Sequence, residues 1–202
     1  MLARELPADA VTMSLLTDTP SRQLLCASNA MAAALEEVQF TVVQGPCITS
    51  AESGDEVHLT DWDAGAREWP LFVSAFRDRY PDVQAVHAFP LWFGDYILGS
   101  VDVATRTPGG LSAEAIDRMA AATDAVSTAL LPAQRMLLDQ DGHPPWEPAD
   151  VVRAHWSDTH RAIGVVAVKK EMNTDDALAF MRARAFATGR TLAEITADVL
   201  RS

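Results

Sequence analysis

The sequence predicts an α+β protein, an antiparallel sheet flanked by helices and followed by a small three-helix domain. Three observations predict it. Short β-rich runs are interspersed with helical segments through the first two thirds of the chain. Within them, Gln84–Leu91 and Tyr96–Ala104 flank Trp92-Phe-Gly-Asp95, the pattern of an antiparallel hairpin turning at Gly94. The stretch from Asp158 to Ser202 divides into three amphipathic helices with consistent start and stop signals.

Along the first part, Val11–Leu16 is a β-rich run, Thr17-Asp-Thr-Pro-Ser21 has turn chemistry, and Leu24–Ala27 forms a second strand. Asn29–Phe40 is helical, and Gln44-Gly-Pro-Cys47 opens a rigid loop. Val57–Thr60 is a short strand. Trp69–Tyr80 carries apolar residues at helical spacing. Ser112 caps a long helix, Ala113–Leu130, which Pro132 is expected to end. The boundaries expected from these signals are a first domain over 1–136, a linker over 137–148 and a second domain over 149–202. Gly142, Pro144, Pro145 and Pro148 rule out one continuous helix through the linker.

In the second domain the first helix ends near Met172, with Ala162, Val165, Val166 and Val168 on or near one face. It is expected to start after Glu147 or Pro148. Asn173 or Thr174 caps the second helix, and Asp175 and Asp176 complement its dipole. Ala177, Leu178, Met181 and Ala185 form its apolar stripe. Gly189 suits a left-handed terminus. Thr191-Leu-Ala-Glu194 is a capping box. The third helix is expected to bury Leu192, Ile195, Val199 and Leu200.

Charge also divides the chain. Residues 1–150 hold 8 Arg, no Lys and 22 acidic residues, net −14; residues 151–202 hold 8 basic and 6 acidic residues, net +2. The chain's pI is near 4.7, which argues against a protein that coats nucleic acid nonspecifically. A small basic output domain on an acidic sensor fits this asymmetry. Cys26 and Cys47 make neither a disulfide framework nor a zinc spacing. No signal-peptide pattern or membrane-length apolar run stands out, and a soluble, cytoplasmic protein is expected.

The C-terminal segment resembles the ANTAR domain, an RNA-binding module of bacterial transcription antiterminators. Ala162 and Gly164, then Ala177, Arg182 and Ala185, then Arg190, Leu192 and Ile195 carry the resemblance. Ile163, Met172-Asn173 and Thr196 depart from the family pattern. The first part resembles a GAF domain, a small-molecule sensor fold, over roughly residues 6–131. Phe40 with Gln44-Gly-Pro-Cys47, Asp61-Trp62, Trp69-Pro70, Ala88-Phe-Pro-Leu91, Gly94 and Leu98-Gly99 carry that resemblance. GAF domains usually begin with a full helix, whereas only Met1–Pro7 precedes the first strand here.

The pair of resemblances implies an actinobacterial-type GAF–ANTAR regulator. Such a protein binds paired short stem-loops in a nascent transcript and controls termination. A small-molecule ligand or a protein partner would act at the first domain, and long helices flanking the sensor lead us to expect a homodimer. Lys169, Lys170, Arg182, Arg184, Arg190 and Arg161 are the expected RNA contacts. Phe180, Phe186 and Trp156 are the aromatic residues available for base stacking, although each also suits a core or an interface.

Other residues have ordinary readings. Cys47 suits a redox switch or a small buried hydrophobe, and the latter is the commoner. Cys26 is expected in the core. His87 is expected to be structural rather than a haem ligand. Trp62, Trp69, Trp92 and Phe93 suit core packing better than a pocket. No catalytic constellation and no cofactor or metal motif is visible. The alternatives to RNA binding are a DNA-binding regulator and a protein-interaction module. Glu194 and Asp198 on the third helix oppose insertion in a major groove. A cysteine-dependent methionine sulfoxide reductase is the one enzymatic alternative.

Overall fold

A computed structural model describes residues 8–15, 23–139 and 158–202. The chain divides into two compact units, Met1–Pro145 and Trp146–Ser202.

The first unit is built on a five-stranded antiparallel sheet of order β2-β1-β5-β4-β3. Its strands are β1 (Ala10–Leu15), β2 (Gln23–Ala27), β3 (Val57–Leu59), β4 (Ala85–Phe93) and β5 (Tyr96–Thr105). Helices α1 (Ala30–Val42), α2 (Pro46–Ser53), α3 (Trp62–Glu68), α4 (Pro70–Arg79) and α5 (Ala113–Asp139) complete it. The predicted hairpin forms: Phe93 pairs with Tyr96 across Gly94, whose φ of 56° is left-handed.

Strand alternation sends side chains to two faces. On one, Ala10, Val86 and Ala104 pack with Met31 and Leu35 of α1, Phe72 and Phe76 of α4, and Trp69 just before α4. On the other, Leu15, Phe89, Leu91, Val101 and Val103 pack with Ala115 and Met119 of α5. Phe72 and Phe76 are fully buried. Each such ring contributes about 1.5–3 kcal/mol by leaving water.

The helix expected over Trp69–Tyr80 forms as α4, and a further short helix, α3, precedes it, capped by Asp61, which accepts from the amides of Asp63 and Ala64. Several other expectations need correction. The Gly-Pro-Cys loop is the start of a helix, with Pro46 in its first turn. Helix α5 passes through Pro132 to Asp139. Proline's fixed φ is itself helical, so inside a long helix it removes one hydrogen bond and bends the chain rather than ending it. Cys26 is exposed on the edge strand β2, not in the core.

The second unit holds α6 (Asp158–Lys170), α7 (Thr174–Thr188) and α8 (Leu192–Arg201). The predicted stripe of α7 is fully buried: Ala177, Leu178, Met181 and Ala185 are each 1% exposed or less. Ala162, Ile163 and Val166 of α6 and Leu192 and Ile195 of α8 close the core. The Asn173 side chain accepts from the Asp176 amide, Thr191 and Glu194 form the reciprocal capping box, and Gly189 ends α7 at φ 61°. Two expectations on this core fail. Val168 is 81% exposed, because the inward face of α6 is made by Thr159, Ala162, Ile163 and Val166. Thr196 is buried where Val199 and Leu200 are only half-buried, and its hydroxyl lies 3.3 Å from that of Thr159. The expected start of the first helix near Pro148, with His155 and Trp156, lies outside the described residues. Most of the linker does too.

Candidate functional site

Two places concentrate chemistry, one in each unit. In the second unit the end of α6 carries Lys169 and Lys170, both exposed. The Lys170 ammonium sits 4.4 Å from the centre of the Phe180 ring on α7, within cation–π range. Arg184 lies four residues beyond Phe180, so both share one exposed helix face. Lys170, Phe180 and Arg184 thus form one cationic and aromatic stripe. Lys169 donates to the Ser202 hydroxyl at the end of α8.

The remaining expected contacts are engaged otherwise. Arg190 donates to Asp198 at 2.6 Å and to the Glu194 carbonyl. That hydrogen bond holds the Asp198 carboxyl below its usual range and raises Arg190 further. Arg190 therefore fastens the α7–α8 turn to α8. Arg161 pairs with Asp158 within the first turn of α6. Arg182 is half-buried beside the core stripe of α7. Phe186 is 46% exposed, on a different side of α7 from Phe180.

In the first unit, a buried polar cluster lies between the sheet and α1–α2. Ser14 of β1, Ser100 and Asp102 of β5, Glu36 and Gln39 of α1, and Cys47 of α2 are all 3% exposed or less. Gln39 joins the elements. Its Nε2 donates to Asp102 Oδ2 at 2.7 Å, and its Oε1 accepts from the Cys47 amide at 2.8 Å. Ser100 donates to the other Asp102 oxygen at 2.7 Å. The Cys47 sulfur lies 3.7 Å from Glu36 Oε2 and 3.7 Å from Ser14 Oγ. The local sequence explains this geometry. Gly45 has φ 130°, and a Cβ there would come within 2.6 Å of Gln39 Oε1. Only glycine lets the loop close over Gln39, and Pro46 then starts α2 with the Cys47 amide pointing inward.

Cys47 is thus buried, as its ordinary reading has it, with Ser14, Glu36 and Gln39 as polar neighbours. Its companions were missed in the sequence. The signal was there: Glu36 and Gln39 interrupt the apolar stripe of α1, and Thr12, Ser14, Ser100 and Asp102 alternate with Val11, Met13, Val101 and Val103. Such alternation ordinarily marks a solvent-facing side, and α1 and α2 cover that side here.

The other singled-out residues are structural. His87 is 1% exposed; its Nε2 accepts from the Leu111 amide, and its Nδ1 lies 3.0 Å from that of His58. Burial, reinforced by His58, lowers its pKa to about 4. Trp62 donates to the Gln84 carbonyl and stacks on Phe72 and Phe76. Trp69 is buried and donates to Thr49. Trp92 departs from the core expectation: it is 37% exposed and donates to the Gly54 carbonyl. Phe93 lies outside the residues whose side chains are described.

No family model matches the sequence, and no curated protein aligns with it significantly. Solved structures do match. The GAF domain region of a protein from Geobacter sulfurreducens superposes with a TM-score of 0.53 at 13% identity, covering 65% of this chain and 86% of that one. The photoproduct state of GAF3 from Slr1393 of Synechocystis superposes with a TM-score of 0.50 at 19% identity, covering 67% and 89%. A type II free methionine-R-sulfoxide reductase from Thermoplasma acidophilum matches less closely, with a TM-score of 0.46 at 15% identity over 65% and 84%. The antiparallel sheet with its flanking helices has the GAF fold. Among the described residues no helix is long and apolar enough to cross a membrane.

Proposed function

We propose that this chain is a cytoplasmic, signal-responsive regulator in which a GAF sensor controls an ANTAR-type RNA-binding output. The sensor covers residues 1–136, the linker 137–148 and the output domain 149–202. The output domain binds paired short stem-loops in a nascent transcript and so controls termination. The single observation that carries this reading is the exposed stripe of Lys170, Phe180 and Arg184 on a three-helix unit. Ammonium and guanidinium groups engage phosphate, and an exposed ring offers a stacking surface to an unpaired loop base. The ANTAR resemblance at Ala162, Gly164, Ala177, Ala185, Leu192 and Ile195 supports it; all of these but Gly164, which is exposed, are buried in the core of the unit.

The six expected contacts differ in what else each engages, and this reading assigns them accordingly. Lys169, Lys170 and Arg184 make the RNA-facing set. Arg190 and Arg161 are engaged with acidic neighbours and shape the unit first. Arg182 supports the helix packing. The protein acts as a homodimer, which presents two output domains to two stems. A ligand or partner at the sensor acts by favouring one arrangement of the output helices.

The test is transcription in vitro through a terminator preceded by two hexaloop stems. Added protein is expected to change read-through on this template and not on one with a scrambled second stem. Equal termination on both templates, with and without protein and at every protein concentration, would refute the antitermination reading.

A further inference from the structure

We propose that Cys47, Glu36 and Asp102 form a binding site for a divalent transition-metal ion of zinc's class. Among the described residues they are the one group of three potential metal ligands whose donor atoms lie within 4.8 Å of one another. The three come from α2, α1 and β5, and all are buried. That spacing encloses an atom, not a molecule. A tetrahedral zinc ion with sulfur at about 2.3 Å and oxygen at about 2.1 Å sets its sulfur and oxygen ligands about 3.6 Å apart. The Cys47 sulfur and Glu36 Oε2 are 3.7 Å apart.

The surroundings are those of a supported site. Metal ligands are normally held by a second layer of hydrogen bonds that fixes their orientation. Gln39 provides it here, gripping Asp102 through its amide nitrogen and the Cys47 backbone through its amide oxygen. Ser100 fixes the other Asp102 oxygen.

A second, independent observation points to a missing ligand. The Thr12 and Ser50 hydroxyls are buried, at 1% and 0% exposure, without a hydrogen-bond partner. Thr12 is the direct cross-strand partner of Asp102, so the two side chains share a face. Ser50 lies three residues beyond Cys47 on α2, on the same side of the helix. Buried polar atoms without partners are rare and commonly mark water or an ion. A water bound as fourth ligand would supply the hydrogen bonds that these two hydroxyls lack.

The donor set chooses the metal. Calcium and magnesium take oxygen ligands, whereas one sulfur with two carboxylates suits zinc, cobalt or nickel. A thiolate and two carboxylates in a buried space also gain from a divalent charge that offsets their mutual repulsion. The site lies wholly within the first unit, so it stands whether or not the second unit binds RNA.

The experiment is a Co(II) titration of the full chain after dialysis against a chelator. One equivalent is expected to bind, with the near-ultraviolet absorption of a thiolate–cobalt bond, and Zn(II) is expected to displace it. X-ray absorption of the zinc-loaded wild type should show one sulfur and otherwise oxygen neighbours, a result that requires no variant to fold. Cys47→Ser is expected to abolish the thiolate band, and Glu36→Gln to weaken binding at least tenfold, while Cys26→Ser changes neither. Failure of the folded wild type to bind at micromolar metal would overturn the proposal. So would a thiolate band that survives in Cys47→Ser, or a zinc shell without sulfur.

Discussion

Lys170 at the end of α6 places its ammonium 4.4 Å from the centre of the Phe180 ring on α7, and this contact joins two helices at the surface. A cation–π pair that is exposed contributes about 0.5–1 kcal/mol and leaves both partners within reach of a ligand. Arg184 extends the same face. The proposed RNA surface therefore has its charge and its ring already side by side.

Removing the pair should separate two kinds of contact. Lys170→Ala is expected to weaken RNA binding and lower the slope of log K against log salt by roughly one, as for the loss of one phosphate contact. Phe180→Ala is expected to weaken binding with a smaller change in slope, because stacking is not electrostatic. Equal affinity and slope in wild type and both variants, by fluorescence anisotropy, would remove the stripe from the interface.

Arg190 should behave differently. It is held by Asp198 and Glu194, so Arg190→Ala is expected to lower the melting temperature of the 149–202 unit. Asp198→Ala should lower it in the same way, and the double variant should lose less than the two single losses combined. Additive losses in thermal unfolding would show that the pair does not couple.

Gly45 and Gly94 offer a paired test of the loop over Gln39. Both have positive φ, but a Cβ at Gly45 meets Gln39 whereas one at Gly94 meets nothing within 4 Å. Gly94→Ala is expected to cost about 1–2 kcal/mol from backbone conformation alone. Gly45→Ala carries that cost and the clash as well, about 3 kcal/mol or more in total. Urea unfolding that ranks the two variants equally would contradict the close approach.

His87 sets a pH dependence. Its folded pKa is about 4, below the usual 6.5, so the unfolded chain binds more protons between those values. This contribution to stability is complete above pH 6.5 and is lost as pH falls toward 4. Stability of wild type should fall across that window more steeply than that of His87→Gln. Parallel pH profiles would show that His87 does not titrate as its burial requires.

How much was legible in the sequence varied with the kind of signal. The second unit was read almost residue by residue, because caps, stripes and a left-handed glycine are local patterns: Asn173, Gly189 and Thr191–Glu194 sit where those patterns put them. The sheet and its hairpin were legible from alternation and from Gly94. Helix α2 was not, since eight residues with two serines give little periodicity, and Pro46 in its first turn reads equally as a loop. The buried polar cluster was hidden for a deeper reason. Glu36 and Cys47 sit on consecutive helices and Asp102 lies far along the chain, and only the packing of α1 and α2 over the polar side of β1 and β5 brings the three together. Of the expected RNA contacts, sequence showed where the cations are. It could not show that Asp198, eight residues along, holds Arg190.

The measurement that tests the central claim most directly is equilibrium binding of the purified chain to a fluorescent RNA with two hexaloop stems, titrated in salt beside a single-stem RNA and a DNA duplex. The account predicts tight binding to the double stem, weak binding to the other two, and the same preference in the isolated 149–202 fragment. A fragment that shows no preference among the three nucleic acids would contradict it and turn attention to a protein partner for the three-helix unit.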